Sequence, residues 1–191
     1  MNKKVRWITE TAAMLALLIC LQWVGSLIPE PLVKQLVTGT LVNCVLVVTV
    51  LVAGRSSGIT VALLSPVFAL LFKITPIMMA APVIMVGNLC YVLLISFVIG
   101  KKSRPIWKQP VALVAASGVK FAVLYSLGVL LVCGLLFDSL NGQVFMGMNV
   151  MTMQASKQLT KMFGWMQLIT AVSGGTIALL ITPTLKKALH R

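Results

Sequence analysis

Six apolar runs, at roughly 7–28, 36–53, 58–72, 78–99, 110–137 and 162–185, take up most of this 191-residue chain. An α-helix needs about 20 apolar residues to cross a hydrocarbon core of about 30 Å. The first, fourth, fifth and sixth runs meet that length, and the second just does. The third, Gly58 to Phe72 with Pro66 inside it, is short, so a tilted, broken or partly spanning segment stays open there. Turn chemistry separates the runs: Ile28-Pro29-Glu30-Pro31, Gly54-Arg55-Ser56-Ser57-Gly58, Lys73 to Pro76, and Gly100 to Pro110. The longest break, about Asp138 to Lys161, is polar and Met-rich and is expected to hold structure of its own. The pattern predicts an all-α integral membrane protein: one transmembrane domain over 1–191, with six transmembrane helices in one bundle and a short third span.

Composition agrees, since only 10% of the residues are charged, against about 25% in a soluble domain that needs a wet surface. The charges are lopsided, with 16 Lys+Arg against 3 Asp+Glu. Six spans put Lys3, Lys4, Arg6, Arg55, Lys101, Lys102, Arg104, Lys108, Lys186, Lys187 and Arg191 on one side. Lys34, Lys73, Lys157 and Lys161 fall on the other, and Lys120 lies inside the fifth run. The positive-inside rule then places both termini of a multi-pass protein, and the 100–110 loop, in the cytoplasm. A five-span alternative puts Lys101–Lys108 opposite the N-terminal lysines and ranks below six. Positives spread in this way form no continuous basic face, which argues against a nucleic-acid partner. Lys3, Lys4 and Arg6 before an apolar stretch resemble a signal peptide. The run of about 20 residues exceeds a signal core of about 7–15, and no small-residue cleavage site ends it, so it reads as a retained span.

Catalytic and metal chemistry find no footing. Cys20, Cys44, Cys90 and Cys133 sit singly in apolar runs, without metal spacing, and read as small core-compatible residues. The lone histidine, His190, is in the C-terminal tail, which rules out a His-based metal site or Ser-His catalysis. Glu10, Glu30 and Asp138 fall in different segments, so no carboxylate pair is suggested. Gly100-Lys101-Lys102 lacks the upstream glycine and the hydroxyl residue of a phosphate loop. The chain shows no enzyme signature and implies no cofactor. Any ATP hydrolysis that drives transport must come from another subunit.

What remains is a polar inventory inside the spans. Lys120 lies ten residues past Pro110, about 15 Å from the cytoplasmic edge and so near the midplane. A charge there costs at least ~2.5 kcal/mol on insertion scales. It is expected to face the bundle interior with a partner, in either a ligand-facing or a purely structural role. Asn43 sits about two turns into span two from outside and Asn88 nearly three turns into span four. Tyr125 lies a little over one turn outward of Lys120; Gln22 and Trp23 are near the outer end of span one, and Trp165 and Gln167 start span six. Singly, such an Asn often makes only an interhelical bond, and such a Trp often marks the interface belt. Their shared depth points to a pocket open to the outside, with aromatic walls and a few directional polar groups. The candidate ligand-binding residues are therefore Lys120, Asn88, Tyr125, Asn43, Trp165, Gln167 and Trp23. Lys120 favours a ligand with a carboxylate, a phosphate or an electron-rich carbonyl. Lys34, Lys73, Lys157 and Lys161 at the outer mouth either attract such an anion or are simply solvated.

In span one, Ala12 and Ala16 share a helix face one turn apart. Small residues at that spacing let another helix approach closely, whether within the bundle or from a partner. Gly174-Gly175 in span six has the same two readings.

The length, the six runs with a short third, the basic N-terminus and Ala12-xxx-Ala16 together resemble the substrate-binding (S) component of energy-coupling factor (ECF) transporters. Lys34-Gln35-Leu36-Val37-Thr38-Gly39 and Lys120-Phe121 with Leu124-Tyr125 are similar to members whose ligand is unassigned. The resemblance covers essentially the whole chain. It implies a small vitamin-like micronutrient captured from outside a bacterial plasma membrane, and a complex with one transmembrane coupling subunit and two cytoplasmic ATPases. It also implies that the face carrying Ala12 and Ala16 docks on the coupling subunit, and that the loaded component topples to release its ligand inward. No hallmark associated with the riboflavin, thiamin or biotin members is present.

Two other readings compete. A membrane scaffold for envelope assembly, similar to the rod-shape protein MreD, would pair Lys120 with a protein group and hold no solute-sized cavity. A self-sufficient secondary carrier would need ion coupling, and the chain shows no obvious inverted repeat and no buried acid chain.

Overall fold

The computed structural model describes residues 2–72, 77–98, 108–145 and 148–188. The long helices are α1 (Lys3–Ser26), α2 (Pro31–Val52), α3 (Arg55–Leu71), α4 (Ala80–Val98), α5 (Lys108–Leu124) and α8 (Trp165–Ala188). A π-helical segment, Tyr125–Leu135, continues α5 directly. Between it and α8 come α6 (Phe137–Leu140), an antiparallel hairpin of β1 (Val144–Phe145) and β2 (Met148–Asn149), and α7 (Met153–Met162). Lys73, Lys101, Lys102, Arg104, His190 and Arg191 lie outside the described residues.

The helix starts follow local chemistry. The Asn2 side chain accepts a hydrogen bond from the Lys4 amide at 3.2 Å, and Glu30 accepts one from the Val33 amide at 2.6 Å ahead of Pro31. Both supply acceptors to amides that have no intrahelical partner. The tight reversal from α2 into α3 runs through Gly54 at φ 97°, a conformation that glycine adopts without a Cβ clash.

Each of the six apolar runs is helical, and five of the helices are long and apolar enough to cross a membrane. These are α1, α2, α4, α5 with its π continuation, and α8. The third run is α3, 17 residues long and continuous through the buried Pro66. At 1.5 Å per residue it reaches about 26 Å, short of a full hydrocarbon core.

The centre of the bundle is α2, buried without interruption from Asn43 to Val50 and packed against α1, α3, α4 and α8. Its pairing with α8 is close because glycines face across it on both helices. A Cβ on Gly39 would stand 3.0 Å from Thr170 Cγ2, and one on Gly174 would stand 2.9 Å from the Cys44 amide nitrogen. Small residues at a helix crossing gain contact by letting the backbones approach. The main core joins Leu18, Leu46, Val61, Tyr91, Ile95, Leu113 and Ala171.

A second apolar cluster lies at the end of the bundle where α4 begins. Leu159 and Phe163, in and just after α7, and Met151 pack with Ile77, Ala80, Val83, Leu124 and Val132. The Met-rich break is thus a folded cap seated on the start of α4 and the end of α5 with its π-helical continuation. The ring of Phe163 lies where Gly128 of the π-helical segment has no side chain.

Candidate functional site

One buried cation organises the interior. The Lys120 ammonium donates to Asn43 Oδ1 at 2.5 Å and to Asn88 Oδ1 at 2.7 Å. It stands 5.1 Å from the centre of the Tyr91 ring, within cation–π range. Lys120 is 2% exposed, and Asn43 and Asn88 1% each. Three helices supply the cluster: Asn43 comes from α2, Asn88 and Tyr91 from α4, and Lys120 from α5.

The glycine pair of α8 makes room for this arrangement. A Cβ on Gly174 would lie 2.8 Å from Asn43 Cβ, and one on Gly175 would lie 2.7 Å from the Tyr91 hydroxyl. That hydroxyl instead donates to the Ala171 carbonyl at 2.9 Å. Asn43 Nδ2 donates to Thr170 Oγ1 at 3.4 Å, and Thr170 Oγ1 donates to the Gln167 carbonyl at 3.3 Å. Gly174-Gly175 therefore serves internal packing, and it seats both Asn43 and Tyr91.

The electrostatic balance at the centre is unusual. Glu10 pairs with Arg6 at 2.8 Å, Glu30 caps α2, and Asp138 lies in the first turn of α6. None of these three carboxylates hydrogen-bonds the Lys120 ammonium, whose partners are neutral carboxamides and an aromatic face. Asn88 Nδ2, also buried, has no hydrogen-bond partner among the described residues. Buried donors without acceptors cost free energy, typically about 1–3 kcal/mol. The centre thus offers surplus donors and positive charge, the inverse of what an anion or carbonyl oxygen brings.

Of the candidate ligand residues, the structure brings Lys120, Asn43 and Asn88 together, and Gln167 joins them through its backbone by way of Thr170. Tyr125 and Trp165 instead flank Phe121 on the bundle surface, at ring-centroid distances of 5.9 Å and 6.2 Å. Trp165 is 75% exposed and Trp23 58%, so both indoles lie on the outer surface of the bundle. Tyr91 and Thr170 complete the cluster and were not among the sequence candidates. Tyr91 lies three residues past Asn88, on the same helix face, which was the available signal.

The side of the centre that faces the cap is closed. Leu124, one turn past Lys120 on the same helix, is fully buried. It fills the space beside Gly87 and is covered by the cluster of Leu159 and Phe163.

On α1, Thr11 Oγ1 donates to Ser57 Oγ of α3 at 2.9 Å. With Leu18, Gln22 and Gly25 it forms the buried face of the helix. That rotation leaves Ala12, Ala13, Ala16 and Leu17 exposed.

Five long apolar helices around a buried polar centre define a multi-pass helical membrane protein. Residues 10–186 match the family described as ECF transporter, substrate-specific component. The chain belongs to that family, whose members are substrate-binding subunits of transporters and not enzymes. No curated protein and no solved structure matches it. Family membership sets aside the envelope-scaffold reading.

Proposed function

We propose that this subunit captures a small micronutrient bearing a carboxylate, phosphate or electron-rich carbonyl, and that the ligand docks on Lys120, Asn88 and Asn43 over the Tyr91 ring. The observation that carries this reading is a buried ammonium that, among the described residues, has no carboxylate partner and lies beside an unpaired Asn88 donor. An anion there would answer both. Such bonds to charged groups contribute about 1.5–3 kcal/mol each.

The reading takes six spans, with α3 as the short one, and both termini in the cytoplasm. Solute then arrives from the exterior, and the cap of α6, hairpin and α7 with Leu124 has to move aside to admit it. Tyr125, Trp165 and Trp23 contribute to the outer aromatic belt, and Gln167 acts through Thr170. The exposed face of α1 at Ala12 and Ala16 suits close approach by a helix of the coupling subunit. With no nucleotide-binding motif in this chain, two partner ATPases supply the energy.

One observation favours a second reading, in which the cluster only fastens α2, α4 and α5 together: both amide oxygens already accept from the ammonium, and the group is sealed. Equilibrium binding separates the two. Purified protein is expected to bind one acidic solute per chain without ATP, and liposomes holding this chain alone are expected to accumulate none. Solute uptake by the chain alone, driven by an ion gradient, would replace the reading with that of a secondary carrier.

A further inference from the structure

The opposite end of the bundle carries a second site. An open cleft of about 560 Å³ lies among the start of α1, the α2–α3 turn and the end of α4. Lys3, Arg6 and Arg55 line it together with Glu10, Trp7 and Ser96. Three cations against one carboxylate leave it positive, even with the Arg6–Glu10 pair formed. The Arg55 guanidinium is held 4.2 Å over the Phe97 ring, which fixes its position at the rim. Gly54 brings no side chain into the turn.

The surroundings decide the class of ligand. Phe97 on α4 is an exposed apolar side chain under the Arg55 guanidinium, and Leu51 and Val52 of α2 line the cleft wall. In a bilayer Phe97 faces hydrocarbon, while Trp7 lies at the level where indoles settle among headgroups. Positive charge at the headgroup level above an apolar face matches a molecule with an anionic head and acyl chains. Basic pockets between helices on the cytoplasmic side suit such headgroups.

The geometry points to a binding site for one anionic phospholipid of the cytoplasmic leaflet, its phosphodiester held by Lys3, Arg6 and Arg55 and its chains lying along Phe97. The assignment uses the orientation given above and is independent of the solute site.

Native mass spectrometry of the full chain released from detergent tests it, with phosphatidylglycerol and phosphatidylcholine supplied in equal amounts. One phosphatidylglycerol is expected to remain bound in preference to phosphatidylcholine. Arg55→Gln and Lys3→Gln, separately and together, are expected to lower its occupancy several-fold. Lys187→Gln, a charge at the same end outside the cleft, is expected to leave occupancy unchanged. Equal retention of the two lipids, or an equal loss with Lys187→Gln, would overturn the site. Displacement of the lipid by millimolar inorganic phosphate would overturn the lipid assignment in favour of a soluble anion. A solute-binding assay on the same samples keeps this outcome separate from that of the Lys120 centre.

Discussion

Replacing Lys120 with Met keeps most of the side-chain volume and removes the charge and its donors. Ligand affinity is expected to fall at least about 100-fold, since loss of charged hydrogen bonds worth about 3 kcal/mol corresponds to that factor. Titration calorimetry with the wild-type ligand reads it directly, and unchanged affinity would remove Lys120 from the site. Asn88→Asp works in the other direction. It places a carboxylate 2.7 Å from the ammonium, so the protein carries its own counter-ion. Affinity for an acidic solute is expected to drop more than tenfold while the thermal midpoint holds or rises. Stronger binding in this variant would contradict an anion site. Lys120, Asn43 and Asn88 were legible in the sequence because a charge or carboxamide deep in an apolar run is costly and few residues share that depth. Tyr125, Trp165 and Trp23 show the limit of such reasoning. Position along a helix gives depth, but rotation decides whether a side chain meets the core or the lipid. Helices that are apolar on every side give little sign of rotation. Thr170 carries little signal because threonine hydroxyls in membrane helices so often bond their own backbone, as Thr182 does to the Ala178 carbonyl at 2.6 Å, and Tyr91 reads as one more aromatic of an apolar run.

Close pairing of α2 with α8 rests on positions where no Cβ fits. Gly174→Ala puts a methyl group against Asn43 and the Cys44 amide, and a destabilisation of about 1–3 kcal/mol is expected from such overpacking. Gly118→Ala is the contrast: nothing lies within 4 Å of the added Cβ, so its thermal midpoint is expected to hold or rise slightly. Equal effects of the two would argue against a tight α2–α8 contact. The cap makes its own prediction. Cys133 Sγ lies 3.7 Å from the backbone carbonyl of Ser156 in α7, so a short bis-methanethiosulfonate bridge can span from Cys133 to the thiol of Ser156→Cys. Bridging that pair is expected to slow ligand association, with recovery on reduction. An association rate indifferent to the cross-link would mean that solute reaches the centre by another path. All six apolar runs proved helical, because hydrocarbon leaves backbone polar groups no other partner. The π-helical turn geometry of Tyr125–Leu135 carries no composition signal. The outer cap, built from short elements and a hairpin, lacks the long periodicity that makes helices readable.

For the whole molecule, the proposal divides labour between two ends. Bulky substitutions at Ala12 or Ala16, Trp for instance, are expected to leave solute binding intact and to abolish co-purification with the coupling subunit. Loss of binding without loss of assembly would invert that division. The family was recognisable from the gross pattern of spans together with one small-residue face, whereas the ligand depends on side-chain geometry that no spacing encodes. The most direct test lies in what the protein carries when purified. Mass spectrometry of small molecules released by denaturation should find one acidic or carbonyl-rich solute, near stoichiometric with the wild-type chain and missing from Lys120→Met. The same solute at equal occupancy in both proteins would place the binding site elsewhere and leave the buried ammonium a fastener between helices.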